Sequence, residues 1–192
     1  MKILGGKFKN RNFFMPKDLR PSQNIIRKAI FDILGNDLSG LTFLDLFAGS
    51  GAFGLEALSR GAKKVVFIER DMKNFEVIQE NISMLPFEMG LDGFWPYSLL
   101  NSDVFATIKV LAAKGEKFDV IAFDPPYGEG LGKKVLKTLN AYDILHPSCV
   151  VIAEHSRREI LPEVEGRIRL FRKKVYGNTL LSIYKKDSSC PA

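Results

Sequence analysis

Phe43-Leu44-Asp45-Leu46-Phe47-Ala48-Gly49-Ser50-Gly51-Ala52-Phe53-Gly54 carries an apolar strand into a glycine-rich turn, and the turn opens a helix. Residues 41–47 (LTFLDLF) form an almost unbroken apolar run, as a strand covered on both faces requires. Gly49 and Gly51 let the backbone take positive φ and approach a ligand closely. Gly61 closes the helix, and KKVVFIE (63–69) predicts the second strand. Such an order predicts a doubly wound sheet with its ligand crevice beyond the strand ends.

Working outward, the alternation continues. A helix is expected over 71–84, stopped by Pro86; then a weaker strand at 93–100, a helix at 104–114, and a strong strand, FDVIAFD, at 118–124. A helix at 131–142 and the strand SCVVIAE (148–154) follow, and IRLFRKKVYG with TLLSIYKK predicts a hairpin around Gly177-Asn178. Strands alternating with helices imply an α/β fold. It would be a mostly parallel, seven-stranded sheet with a C-terminal antiparallel hairpin and helices on both faces. Before it, residues 1 to about 20 read as a small hairpin or extended arm. Pro21 would start a helix carrying Ile25, Ile26, Ala29, Ile30, Ile33 and Leu34 at helical spacing. The expected organisation is a basic arm with its helix (1–36), a catalytic sheet (37–187) and a frayed tail (188–192).

The 192 residues, 46% hydrophobic and 26% charged, suit one ordinary soluble domain. No apolar run approaches the ~18 residues of a membrane span. The opening MKILGGKFKNRNFF lacks the apolar centre of a signal peptide. Cys149 and Cys190 make neither a disulfide framework nor a zinc site, which fits a reducing cytoplasm. The net charge is +6, and the first 28 residues hold Lys2, Lys7, Lys9, Arg11, Lys17, Arg20, Arg27 and Lys28 against one acid, Asp18. A one-sided basic arm points to a nucleic-acid contact rather than a random solvated face.

Glycines 49, 51 and 54 satisfy G-x-G-x-x-G, which by itself suits NAD equally. Asp45, four residues before the first glycine, would repel a pyrophosphate but suits the ammonium of a methionine-like moiety. Glu69, ending the second strand, can accept both hydroxyls of a ribose. Asp103, in Asn101-Ser102-Asp103-Val104, can accept from an adenine amino group while Val104 or Phe105 packs on the ring. Asp103 can equally N-cap the following helix.

DLFAGSGAFGLEALSRGA with FIERD resembles the SAM (S-adenosylmethionine)-binding motif of class I methyltransferases, which have a Rossmann-like fold. The chain is most similar to the bacterial 16S rRNA guanine-N2 methyltransferases that modify guanine 966. The likeness includes MKILGGKFKNRNF, RPSQNIIRKAIFDIL, DPPY and the closing KKVYGNTLLSIY. One segment departs. The family's R-P-T-x-D-x-x-R-E is here Arg20-Pro21-Ser22-Gln23-Asn24-Ile25-Ile26-Arg27-Lys28, which keeps a hydroxyl and loses a carboxylate. The resemblance implies SAM as cofactor, on Asp45, Phe47, Ala48, Gly49, Gly51, Glu69, Arg70, Asp103 and Val104. It implies 16S rRNA or a small-subunit assembly intermediate as partner, met by Lys7, Lys9, Arg11, Arg20 and Ser22. A monomer is expected.

Asp124-Pro125-Pro126-Tyr127 follows the fourth strand and is the expected catalytic turn. Prolines stiffen the backbone and leave carbonyls free to accept. A flipped base can lie on Tyr127 with its exocyclic amine held by Asp124 and the Pro125 carbonyl, with Pro126 fixing the turn. The same tetrad occurs in adenine-N6 methyltransferases of DNA or RNA, which form the alternative. An NAD-dependent oxidoreductase is disfavoured by Asp45 and by the lack of a Tyr-x-x-x-Lys relay. His146 and His155 have no partners at ligand spacing, so no metal is expected. Cys149 reads as strand core, and Arg157 and Arg158 as an RNA-facing or merely solvated pair.

Overall fold

The computed structural model describes residues 1–15, 24–87, 93 and 95–187. The chain forms two compact units, Met1–Ser102 and Asp103–Ala192. The first holds α1 (Asn24–Leu34), β1 (Thr42–Leu46), α2 (Ala52–Ser59), β2 (Lys64–Glu69), α3 (Met72–Ser83) and β3 (Tyr97–Asn101). Its strands are parallel in the order β3-β2-β1, with Leu44 opposite Val66 and Val66 opposite Ser98. The second holds α4 (Val104–Ala113), β4 (Phe118–Phe123), α5 (Leu131–Ala141), β5 (Leu145–Ser156), β6 (Val164–Glu165), β7 (Ile168–Tyr176) and β8 (Thr179–Lys186). There β4 and β5 are parallel, and β8, β7 and β6 follow antiparallel.

Strands β1, β2 and β4 form where the sequence is apolar on both faces. Val65 to Ile68 of β2 and Val120 to Phe123 of β4 are all buried. Helix α2 is buried along its whole length, Glu56 and Ser59 included, as befits a helix apolar nearly all round. Helix α1 buries Ile26, Ile30 and Phe31, and Phe31 stacks on Phe43 with ring centroids 6.4 Å apart.

Two strands differ from expectation. The described strands number eight rather than seven, because Val164–Glu165 pairs with Ile168–Arg169 across a tight turn. Two residues are too few to show alternation. Strand β5 begins at Leu145, three residues before the expected start. Its register with β4 shifts between Phe118 and Val120, which accommodates Pro147 in an irregular stretch. The expected helix start at Pro21 and the tail at 188–192 lie outside the described residues.

The N-terminal arm is a small hairpin docked on α2. Lys2 bridges Asn12, and Ile3 N–H donates to the Arg11 carbonyl at 3.0 Å. Leu4 N–H donates to Glu56 Oε2 at 2.8 Å, and Phe8 N–H to Ser59 Oγ at 2.9 Å. Ile3, Phe8 and Phe13 are buried. Arg27, counted with the arm's cations, is fully buried and pairs with Glu56 at 3.7 Å. Its guanidinium also donates to the Lys2 carbonyl and to Asn24 Oδ1. Burial lowers its pKa and the Glu56 carboxylate opposes that shift. Arg27 therefore holds the arm down and is withdrawn from any surface contact.

Candidate active site

The glycine turn is built by carboxylates that reach back to the backbone. Asp45, buried at the end of β1, accepts from Gly54 N–H at 2.9 Å. Glu69, at the end of β2, accepts from Gly49 N–H and from Asp71 N–H, each at 2.8 Å. Gly51 caps α2 with φ 77°, a left-handed conformation that favours glycine. Phe47 takes φ 58°, which is uncommon for an aromatic residue and marks local strain. Ala48 N–H donates to the Ile68 carbonyl at 3.0 Å, tying the turn to β2. Gly54 has another purpose: a Cβ there would lie 2.0 Å from the Phe67 ring. The third glycine of the motif thus serves close helix–strand packing.

Asp45, Phe47, Ala48, Gly49, Gly51, Glu69 and Arg70 thus sit on one turn and the adjoining strand end of the first unit. Arg70 is exposed. No Lys or Arg lies between Leu44 and Leu58. The buried carboxylates of Asp45 and Glu69 at the strand ends suit an ammonium and sugar hydroxyls better than a pyrophosphate. The residues present therefore fit the sulfonium amino-acid cofactor that the sequence implies.

Two asparagines that the sequence reading passed over also shape this turn. Asn81 on α3 is fully buried; its Nδ2 donates to the Ser50 and Phe14 carbonyls, both at 3.0 Å. Asn101 Nδ2 donates to the carbonyls of Glu69 and Arg70, both at 3.0 Å. The available signal for Asn81 was a polar residue beside Ile78 and Ile82 on the helix's apolar face.

In the second unit, Asp103 N-caps α4. Its Oδ1 accepts from Phe105 N–H at 2.9 Å and Ala106 N–H at 3.0 Å. The helix-capping alternative is therefore real, and it occupies one carboxylate oxygen. Val104 is buried, and the Lys134 ammonium lies 4.0 Å from the Phe105 ring centroid. Asp124 follows the last residue of β4 and is half-buried, Pro125 is buried, and Pro126 and Tyr127 are exposed. The Tyr127 hydroxyl lies 3.4 Å from Thr179 Oγ1. An acid and a rigid carbonyl at a strand end, beside an open aromatic ring, can grip a flat, amine-bearing ring.

Of the expected RNA contacts, Lys7, Lys9 and Arg11 are exposed, and Lys7 and Arg11 lie 5.7 and 5.9 Å from the Phe8 ring. Arg20 and Ser22 lie outside the described residues. Cys149 is buried and its thiol pKa is pushed up by desolvation, which leaves it without nucleophilic character. Burial pushes the His155 pKa down. His155 Nδ1 and Nε2 face the Ser156 carbonyl and Ser182 Oγ. Among the described residues no group of three or more His, Cys, Asp or Glu could hold a metal ion. No helix among them is long and apolar enough to cross a membrane.

The model of the family described as conserved hypothetical protein 95 matches residues 1–185. The chain belongs to that family. The Bacillus subtilis (strain 168) protein YlbH is 32% identical to this family member over 188 residues, 97% of this chain and 99% of its own. The Escherichia coli (strain K12) protein named ribosomal RNA small subunit methyltransferase D is 29% identical over 190 residues, 98% of this chain and 91% of its own. The solved structure of yhhF from Escherichia coli matches with a TM-score of 0.83 and 28% identity, covering 98% of this chain and 99% of that one. This conserved hypothetical protein 95 family member is a methyltransferase, with the α/β fold expected of one.

Proposed function

We propose that the enzyme transfers a methyl group from S-adenosylmethionine to the exocyclic N2 of a guanine in small-subunit (16S) ribosomal RNA. Residues 1–36 contact the RNA and 37–187 carry the chemistry, in a cytoplasmic monomer. The observation that carries this reading is the turn after β4. There Asp124 and buried Pro125 precede an exposed Tyr127, a pattern for holding a ring amine rather than activating a hydroxyl or thiol. The name of the Escherichia coli relative supports ribosomal RNA as the substrate class. The charge of the arm supports a polyanion.

The cofactor supplies an electrophilic methyl on a sulfonium. Asp45, Glu69 and the amides of the glycine turn would hold its amino-acid and ribose parts, and Asp103 and Val104 would meet its adenine. Tyr127 stacks on the flipped base. Asp124 and the Pro125 carbonyl accept the two amine hydrogens, which turns the nitrogen lone pair out of conjugation. The remaining gain is alignment for in-line attack. As the N–C bond forms, the methyl's bond to sulfur would break and its electron pair would stay on sulfur, which leaves as a neutral thioether. The methylated nitrogen would be cationic until one of its protons passes to the Asp124 carboxylate or water.

Single-turnover methyl transfer to small-subunit RNA or an assembly intermediate tests this. Asp124→Ala should abolish measurable turnover while leaving SAM affinity nearly intact, because the lost contact acts mainly in the transition state. Tyr127→Phe should keep most activity, and Tyr127→Ala should lose about 1–3 kcal/mol of stacking. A fully active Asp124→Ala enzyme would sink the mechanism. Product bearing N6-methyladenine in place of N2-methylguanine would move the assignment to the adenine enzymes.

A further inference from the structure

Residues 168–186 carry Arg169, Arg172, Lys173, Lys174, Lys185 and Lys186 and no Asp or Glu. Arg169 pairs with Asp187, and Lys173 reaches Glu163 at 3.5 Å. Lys186 Nζ donates to the Leu145 carbonyl at 3.0 Å. Arg172, Lys174 and Lys185 have no carboxylate within ion-pair distance among the described residues. In their midst stands Phe171, 54% exposed, with the Lys185 ammonium 3.9 Å and the Arg172 guanidinium 5.6 Å from its ring.

Phe171 sits where the β7–β8 register shifts, between Leu170 and Arg172. An extra residue of that kind re-aims a side chain. Beyond it Arg172 opposes Ile183, Lys174 opposes Leu181 and Tyr176 opposes Thr179, so those three side chains share one face of β7. Thr179 Oγ1 is the atom beside the Tyr127 hydroxyl. The cationic face of β7 therefore leads toward the acceptor turn.

Cations on an outer strand often serve only to discourage edge-to-edge pairing. An exposed Phe171 works against that purpose by adding apolar surface. A half-exposed aromatic ring, with the Lys185 ammonium over one face and cations without a carboxylate partner around it, instead has the composition of a single-strand nucleic-acid surface, where bases stack and phosphates meet Lys and Arg.

We infer that Phe171, Arg172, Lys174 and Lys185 form a contact surface for the RNA strand that leads to Tyr127. This rests on the RNA reading above and adds a contact separate from the N-terminal arm. A base stacks on Phe171, and flanking phosphates take the three cations.

The test uses the full chain and a small-subunit rRNA fragment, with binding measured by anisotropy across a salt series. Phe171→Ala should weaken binding roughly 5- to 150-fold with an unchanged salt slope, the usual span for one stacked base. Phe171→Tyr should bind as wild type. The double variant Arg172→Gln/Lys174→Gln should reduce the salt slope by about 1.5, as loss of two phosphate contacts requires. Melting curves and SAM titration should be unchanged in all three, confirming that they fold. Wild-type binding and salt slope in both Phe171→Ala and the double variant, beside an active wild-type enzyme, would overturn the surface and leave the RNA reading intact. A wild-type chain that neither binds nor methylates the RNA would overturn both. Preference for phosphatidylglycerol vesicles over RNA would reassign the cations to a membrane and also overturn it.

Discussion

Glu69 accepts two backbone N–H groups, from Gly49 and Asp71. A carboxylate has about four acceptor directions, so the ribose role expected from sequence and the turn-building role are compatible. Glu69→Ala should weaken SAM binding by about 1–3 kcal/mol, the usual loss for charge-assisted hydrogen bonds, and should also lower the melting temperature by stranding two amides. Glu69→Gln, which keeps an acceptor, should recover part of both. Titration calorimetry with SAM checks this; unchanged affinity in Glu69→Ala would leave Glu69 a turn residue only. The carboxylates themselves were legible because they stand at strand ends beside glycines. Their backbone partners were not, since nothing in a sequence says which amide a carboxylate will reach. Arg27 illustrates the opposite gap. A charge count assigns it to a basic surface, whereas its partner Glu56 lies 29 positions on and buries it.

Helix α2 was legible as a helix from its glycine start and its stop at Gly61, but its environment was not. Glu56 and Ser59 are polar, yet both are buried where the arm docks. Gly54 completes the G-x-G-x-x-G pattern in sequence, and its geometry assigns it to packing on Phe67. Gly54→Ala should therefore destabilise the fold by about 1–3 kcal/mol or more through overpacking. Phe67→Leu should restore part of that stability in the double variant, a coupling that a cofactor-contact role would not produce. Thermal and urea unfolding of the cycle measures it, and purely additive effects would contradict the packing account. Longer elements such as β2 and β4 were visible because a buried parallel strand is apolar throughout. Strand β6 was hidden by its two-residue length, and the start of β5 by Pro147, which ordinarily argues against a strand interior.

The net charge of +6 belongs to the molecule as a whole, but its effect on RNA depends on which cations remain at the surface. Arg27 and Arg60 are both buried against Glu56, so they add to the charge count without meeting solvent. Lys7, Lys9 and Arg11 are exposed on a hairpin held in place by backbone bonds to α2. Deleting the arm would expose the sites of Ile3, Phe8 and Phe13 and damage the fold, which would confound binding with stability. Neutralising its exposed cations is the cleaner experiment. The triple variant Lys7→Gln/Lys9→Gln/Arg11→Gln should lower the dependence of log affinity on log salt by about 2 to 2.7, from 0.7–0.9 per lost phosphate contact. SAM affinity and melting temperature should hold closely, because these exposed side chains contact the Phe8 ring and, for Arg11, donate one long hydrogen bond of 3.4 Å to the Met84 carbonyl. The gap between variant and wild type should narrow as salt rises, because screening removes the same interactions that the substitutions remove. RNA binding with the wild-type salt slope would show that the arm's charge faces solvent rather than phosphate. The long-range partner would then have to be met by other cations of the molecule.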